Sequence, residues 1–207
     1  MDYEKLAELY HKIESTSKRL EKTEIIATFL KNCQKEDLKK VIYLLQGRVF
    51  AQGDERKLGM SSKLLLKSIV QSTGNTTQEV ERVWRDEGDL GLALEKLAKK
   101  KKQNTLFSKK LTLKKVVANI QKISSLEGAG TVNKKVGLVS ELLSGASPLE
   151  SKYIIRTVTE VLRTGVGNSL IRDSLIQAFY PEYKELKEDR EAYKKVVEQI
   201  QHAVDVT

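Results

Sequence analysis

Within this sequence of 207 residues, the stretch Leu162-Arg163-Thr164-Gly165-Val166-Gly167-Asn168-Ser169 carries the residue types best suited to chemistry, and that chemistry is the holding of phosphate. An amphipathic segment stops at Leu162, two glycines turn the chain, and a new apolar helix starts. Glycine tolerates positive φ and lets another backbone come close. The first turn of the new helix offers unsatisfied N–H groups and the positive end of its dipole. Arg163 and Arg172 flank the turn, and Arg156 lies two helical turns ahead of Arg163 on the same face. For Arg156 and Arg172, an ion pair between helices is as good a reading as contact with an anion. A second stretch, Gly59-Met60-Ser61-Ser62-Lys63, opens another apolar helix in the same manner.

Other chemistry is poorly supplied. Cys33 is the single cysteine, which excludes an internal disulfide and a cysteine-based metal cluster. His11 and His202 stand alone in mixed helical contexts, and no histidine, aspartate and glutamate share ligand spacing on one face. A metal-dependent enzyme is therefore the least favoured class. The net charge of +9 favours a polyanionic partner. The excess sits in residues 1–181, because seven acids outnumber five bases from Glu182 to Asp205. Nine lysines and no acid run from Lys96 to Lys115, either a solvated linker or a segment that tracks phosphates. No apolar run reaches the ~18–20 residues that span a bilayer, and the charged first helix is no secretory signal. These features read as a cytoplasmic protein.

The elements that must position these residues are helices. Leu6, Leu9, Tyr10 and Ile13 follow one helical face, as do Leu113, Val116, Val117, Ile120 and Ile123. Thr76-Thr77-Gln78-Glu79 has the form of a capping box, and Ser147-Pro148-Leu149-Glu150 adds proline at the first helical position. Asp89 is suited to cap a helix after Gly88, and Trp84 is expected to anchor a core beside Val80 and Val83. No segment alternates with period two, so the fold class is all-α. The two glycine-opened helices superpose, Gly59 on Gly165, Leu64 on Leu170, Ser68 on Ser174 and Gln71 on Gln177, each after three helices. The expected architecture is a compact domain over residues 1–181 with two pseudo-symmetric halves of about four helices. The halves are 1–75 and 112–181, joined by 76–111, and a pseudo-dyad would set the two glycine turns toward one duplex. Residues 182–207, where acids alternate with lysines, read as a helical linker to a further domain, and the chain as a piece of a longer polypeptide.

Several of these stretches resemble the N-terminal DNA-binding domain of ATP-dependent DNA ligases. The most specific is Leu162-Arg163-Thr164-Gly165-Val166-Gly167-Asn168 after Tyr153-Ile154-Ile155-Arg156-Thr157-Val158. Leu58-Gly59-Met60-Ser61-Ser62-Lys63-Leu64-Leu65-Leu66-Lys67 and Gly88-Asp89-Leu90-Gly91 are similar too, and the residues from Met1 to Thr23 resemble archaeal members. The resemblance covers essentially the whole chain. It implies an all-helical domain that grips the minor groove of nicked double-stranded DNA without sequence preference, within an enzyme that seals nicks in replication and repair. It also implies ATP and Mg in the full-length enzyme, catalytic domains of the same polypeptide, and a sliding clamp as a candidate partner. The family mark of self-adenylation, Lys-x-Asp-Gly, is absent from these residues, so this stretch alone is expected to be non-catalytic and to hold no cofactor.

Carried over by motif, the DNA-binding residues are Arg163, Gly165, Gly167, Asn168 and Ser169 at one turn, and Gly59, Ser61, Ser62 and Lys63 at the other. Lys134 and Lys135, at a helix start after a glycine loop, match a family position that touches phosphates, and Arg156 joins them. Two rivals come from other classes: a helical-repeat scaffold that holds a protein partner, and a stand-alone DNA-binding regulator.

Overall fold

The structure, a computed structural model, describes residues 1–100, 110–128, 130–180, 182–186 and 188–206, with backbone alone for 183, 184 and 203–206. Lys101, Lys102 and Lys109 of the lysine-rich stretch lie outside these residues. Among the described residues the chain is all-helical: α1 (Tyr3–Glu14), α2 (Arg19–Lys31), α3 (Lys35–Leu45), α4 (Ser62–Thr73), α5 (Thr77–Glu87) and α6 (Leu90–Ala98) come first. Then follow α7 (Leu113–Ser124), α8 (Thr131–Gly145), α9 (Pro148–Val158), α10 (Asn168–Phe179), α11 (Tyr183–Leu186) and α12 (Arg190–Val206). None of them is long and apolar enough to cross a membrane.

Local chemistry sets the helix starts. At α5, the Thr76 N–H donates to the Glu79 carboxylate at 2.9 Å and the Glu79 N–H donates back to Thr76 Oγ1 at 3.2 Å. At α9, Ser147 and Glu150 exchange the same pair of bonds at 2.7 and 3.2 Å. Asp89 accepts the Leu92 N–H at 2.7 Å and caps α6. Each such cap contributes about 1 kcal/mol. Burial pushes the Glu150 carboxyl above the usual carboxylate range, and the nearby charges of Glu4 and Asp2 push the same way, against the capping bonds from Ser147.

The chain forms two compact units. The first comprises Met1–Glu8 and Glu55–Leu162, the second Leu9–Asp54 and Arg163–Thr207. These units do not coincide with the segments 1–75 and 112–181. In the first unit α4 lies on α8 and α6 lies on α9. A Cβ placed on Gly91 of α6 would stand 2.8 Å from the Lys152 carbonyl, so α6 and α9 meet backbone to backbone. Here Met1 and Tyr3 bridge to Leu113 and Leu111: the Tyr3 N–H donates to the Leu111 carbonyl at 2.8 Å and the Leu113 N–H to the Met1 carbonyl at 2.9 Å. In the second unit α10 lies on α2 and α12 lies on α10. Both units are filled by aliphatic side chains, among them Val139, Leu142 and Ile154 in the first and Ile13, Ile26, Leu30 and Ile176 in the second. Trp84 departs from expectation. It is only half-buried, because α5 sinks Val80 into the core and leaves the rest of that face at the rim.

Candidate functional site

In the second unit the chain from Arg163 to Leu170 passes between solvent and interior. Thr164 and Leu170 are buried, while Arg163, Gly165, Gly167, Asn168 and Ser169 are exposed. Arg163 has φ 57° and Gly165 has φ 67°, so two left-handed residues flank one buried threonine. For arginine that conformation costs roughly 1–2 kcal/mol, and such outliers cluster at functional sites. Gly167 stands ahead of α10 with no side-chain cap, leaving the first amides of the helix without an acceptor from a capping side chain.

The helix beneath this turn fixes it. Lys22 of α2 is 8% exposed and donates from Nζ to the Thr164 carbonyl at 2.6 Å. Arg19, one turn earlier on the same helix, reaches the Asp173 carboxylate at 2.8 Å and Ser169 Oγ at 3.3 Å. Gln46, just past α3, donates to Asn168 Oδ1 at 3.4 Å. The outward atoms of Asn168 and Ser169 are thus held from the side by long polar arms.

The first unit contains a second turn of the same kind. Leu58 is buried, Gly59 is exposed with φ 61°, and Ser61, Ser62 and Lys63 are exposed. Ser61 caps α4 by accepting the Leu64 N–H. Lys135 of α8 is half-buried and donates from Nζ to the Leu58 carbonyl at 3.1 Å, while Lys134 points to solvent. Among the described residues, Lys63, Lys67 and Lys134 have no carboxylate within 4 Å. Their charges stay available to an anion.

Arg156 is brought elsewhere. It is 3% exposed, donates from Nε to Asp89 at 3.1 Å, from Nη1 to the Leu162 carbonyl at 3.4 Å, and lies over the Tyr153 ring. Helical spacing put it on the face of Arg163, but the chain leaves α9 before Arg163, so that face continues into the core. Arg172 reaches Asp173 at 3.2 Å. Lys22, Arg19 and Gln46 escaped sequence reasoning. Matching Lys22 to Lys135 was possible in principle, but it needs an offset different from the one that pairs the glycine turns.

The family described as DNA ligase N terminus matches residues 2–176. A DNA ligase of Methanothermobacter thermautotrophicus is 46% identical over 177 residues, covering 86% of this chain and 32% of that protein. DNA ligases of Methanosphaera stadtmanae, at 42% over 180 residues, and Thermococcus fumicolans, at 41% over 179, show the same 86% and 32% coverage. The chain spans about a third of the length of these curated relatives.

Proposed function

The chain belongs to the DNA ligase N-terminus family, and on that basis we propose that it binds duplex DNA through its sugar-phosphate rails for an ATP-dependent, nick-sealing ligase. The observation that carries the reading is the pattern of exposed and buried residues from Arg163 to Leu170. It turns Arg163, Gly165, Gly167, Asn168 and Ser169 outward on a turn whose inward residues are locked. An outward glycine lets a phosphate approach the main chain, and uncapped amides at a helix start favour negative charge. Arg163 supplies a guanidinium suited to the negative potential of a narrow groove. Gly59, Ser61, Ser62, Lys63 and Lys134 supply an outward glycine, hydroxyls and ammonium groups at the other turn, where Ser61 caps the helix start. Lys135 takes part from its half-buried position. Arg156, enclosed beside Asp89, serves the scaffold in this reading instead of touching DNA.

Phosphate contacts orient a protein on a duplex but carry no base identity, so sequence preference is expected to be slight. Sealing, with its ATP and Mg, is assigned to the remainder of the full-length enzyme. No Lys-x-Asp-Gly occurs in the sequence, and no three His, Cys, Asp or Glu side chains among the described residues are grouped as metal ligands. Residues 182–207 serve as the helical connection to those parts, in a cytoplasmic enzyme, and a sliding clamp is a partner of the whole.

The test is titration of a nicked duplex at low and moderate salt. Several neutralised phosphates imply affinity losses of orders of magnitude over that range, whereas a flat dependence refutes the proposal. Arg163→Ala should weaken binding and leave the helical circular-dichroism spectrum unchanged.

A further inference from the structure

Both glycine turns are held by the same device, and neither device is local in sequence. In the second unit the Lys22 ammonium, on the first turn of α2, donates to the carbonyl of Thr164, the residue before Gly165. In the first unit the Lys135 ammonium, near the start of α8, donates to the carbonyl of Leu58, the residue before Gly59. The two glycines share the left-handed conformation, at φ 67° and 61°. A Cβ on Gly165 would stand 3.0 Å from Lys22 Nζ, and one on Gly59 would stand 3.1 Å from Lys135 Nζ. Each ammonium therefore fills the space a side chain would take. In each unit the lysine comes from one helix-loop stretch and the turn from another, 142 residues away in the first case and 77 in the second.

A lysine ammonium has three donors and no acceptor. Lys22 is nearly enclosed, yet among the described residues the Thr164 carbonyl is its one hydrogen-bond acceptor, and no carboxylate lies within 4 Å. Enclosing an ammonium without a counter-charge opposes folding, so its presence needs a reason besides packing. Drawing the Thr164 carbonyl inward sets the peptide plane between Thr164 and Gly165, and that plane fixes the direction of the Gly165 N–H. The compact ammonium reaches this carbonyl where a planar guanidinium would need more room.

We propose that Lys22 and Lys135 are twin positioning residues. Each pins the carbonyl ahead of a left-handed glycine, and so preorganises the turn that receives a DNA phosphate. This rests on the phosphate-holding reading above. Lys22 acts through the turn, not by touching the duplex.

The experiment compares wild type with Lys22→Met and Lys135→Met for binding to a nicked duplex over a range of salt, with circular dichroism and thermal melting alongside. Loss of a charge-assisted hydrogen bond that orients a binding group should weaken K22M roughly ten- to a hundredfold. The slope of log affinity against log salt should stay as in wild type. An unchanged affinity in folded K22M overturns the proposal, as does a slope reduced by about 0.9, the signature of a lost phosphate contact. If K22M loses its helical spectrum, K135M, at the half-buried twin, decides instead: a loss of tenfold or more in a folded variant with the wild-type salt slope supports the twin role, whereas wild-type affinity or a slope reduced by about 0.9 overturns it. A wild type with no steep salt dependence fails the DNA-binding reading itself, a result separate from either variant.

Discussion

Replacing Arg156 with methionine should destabilise the first unit by about 3–5 kcal/mol, the usual cost of removing one partner from a buried ion pair. The guanidinium is 3% exposed and reaches Asp89 Oδ1 at 3.1 Å, and the side chain of Asp89 is 7% exposed. The same Asp89 oxygen accepts the Leu92 N–H at 2.7 Å, so it caps α6 while it neutralises the arginine. Asp89→Asn separates the two duties. The amide oxygen still serves as a cap, asparagine being as good an N-cap as aspartate, but the negative charge is gone. D89N should therefore lose stability through the ion pair alone, by a similar amount to R156M. The double variant should cost less than the sum of the two by about 1.5 kcal/mol or more, because residues in one network do not add. Urea unfolding followed by circular dichroism measures this, and with a slope near 2–3 kcal/mol/M a loss of this size moves the midpoint by roughly 1–2 M. A loss under 1 kcal/mol for R156M, or an additive double variant, would contradict a buried, coupled pair. So would a folded R156M whose salt slope on DNA falls by about 0.9, since that would make Arg156 a phosphate contact after all.

Arg163→Gly relieves a left-handed arginine worth roughly 1–2 kcal/mol of strain, against about 0.5–1 kcal/mol for the added freedom of the unfolded chain. The variant should match wild type in stability or exceed it by up to about 1.5 kcal/mol while binding DNA more weakly; paired melting and binding curves check both, and tight binding by R163G would remove the guanidinium from the interface. Glu150→Gln keeps the acceptor for the Ser147 cap and removes a carboxylate whose ionisation the fold disfavours. A raised folded pKa gives a contribution present in full below the unfolded value and lost as pH rises through the folded one. E150Q should thus melt higher than wild type at neutral pH, with the gap closing as pH falls below the usual carboxylate range. Equal melting points at neutral pH would contradict that sign.

Features set within a few residues of one another were legible in the sequence. The capping boxes at Thr76 and Ser147, the Asp89 cap, the glycine turns at 59 and 165, and the all-helical class depend on neighbours three or four positions apart. Each stands in the structure where its residues put it. The exposure of Arg163, Gly165, Ser61 and Lys63 followed for the same reason, because apolar residues beside them had to turn inward. Which helix lies under which turn was settled only by packing between distant segments. Lys22 meets Thr164 across 142 residues and Arg156 meets Asp89 across 67. Nothing local to a lysine on an amphipathic helix distinguishes a solvated charge from one buried on a distant carbonyl. Nor does the spacing of Arg156 reveal that its helix ends before the turn. Periodicity assigns a residue to a face of its own helix, but the packing of helices far apart in the chain decides what that face meets.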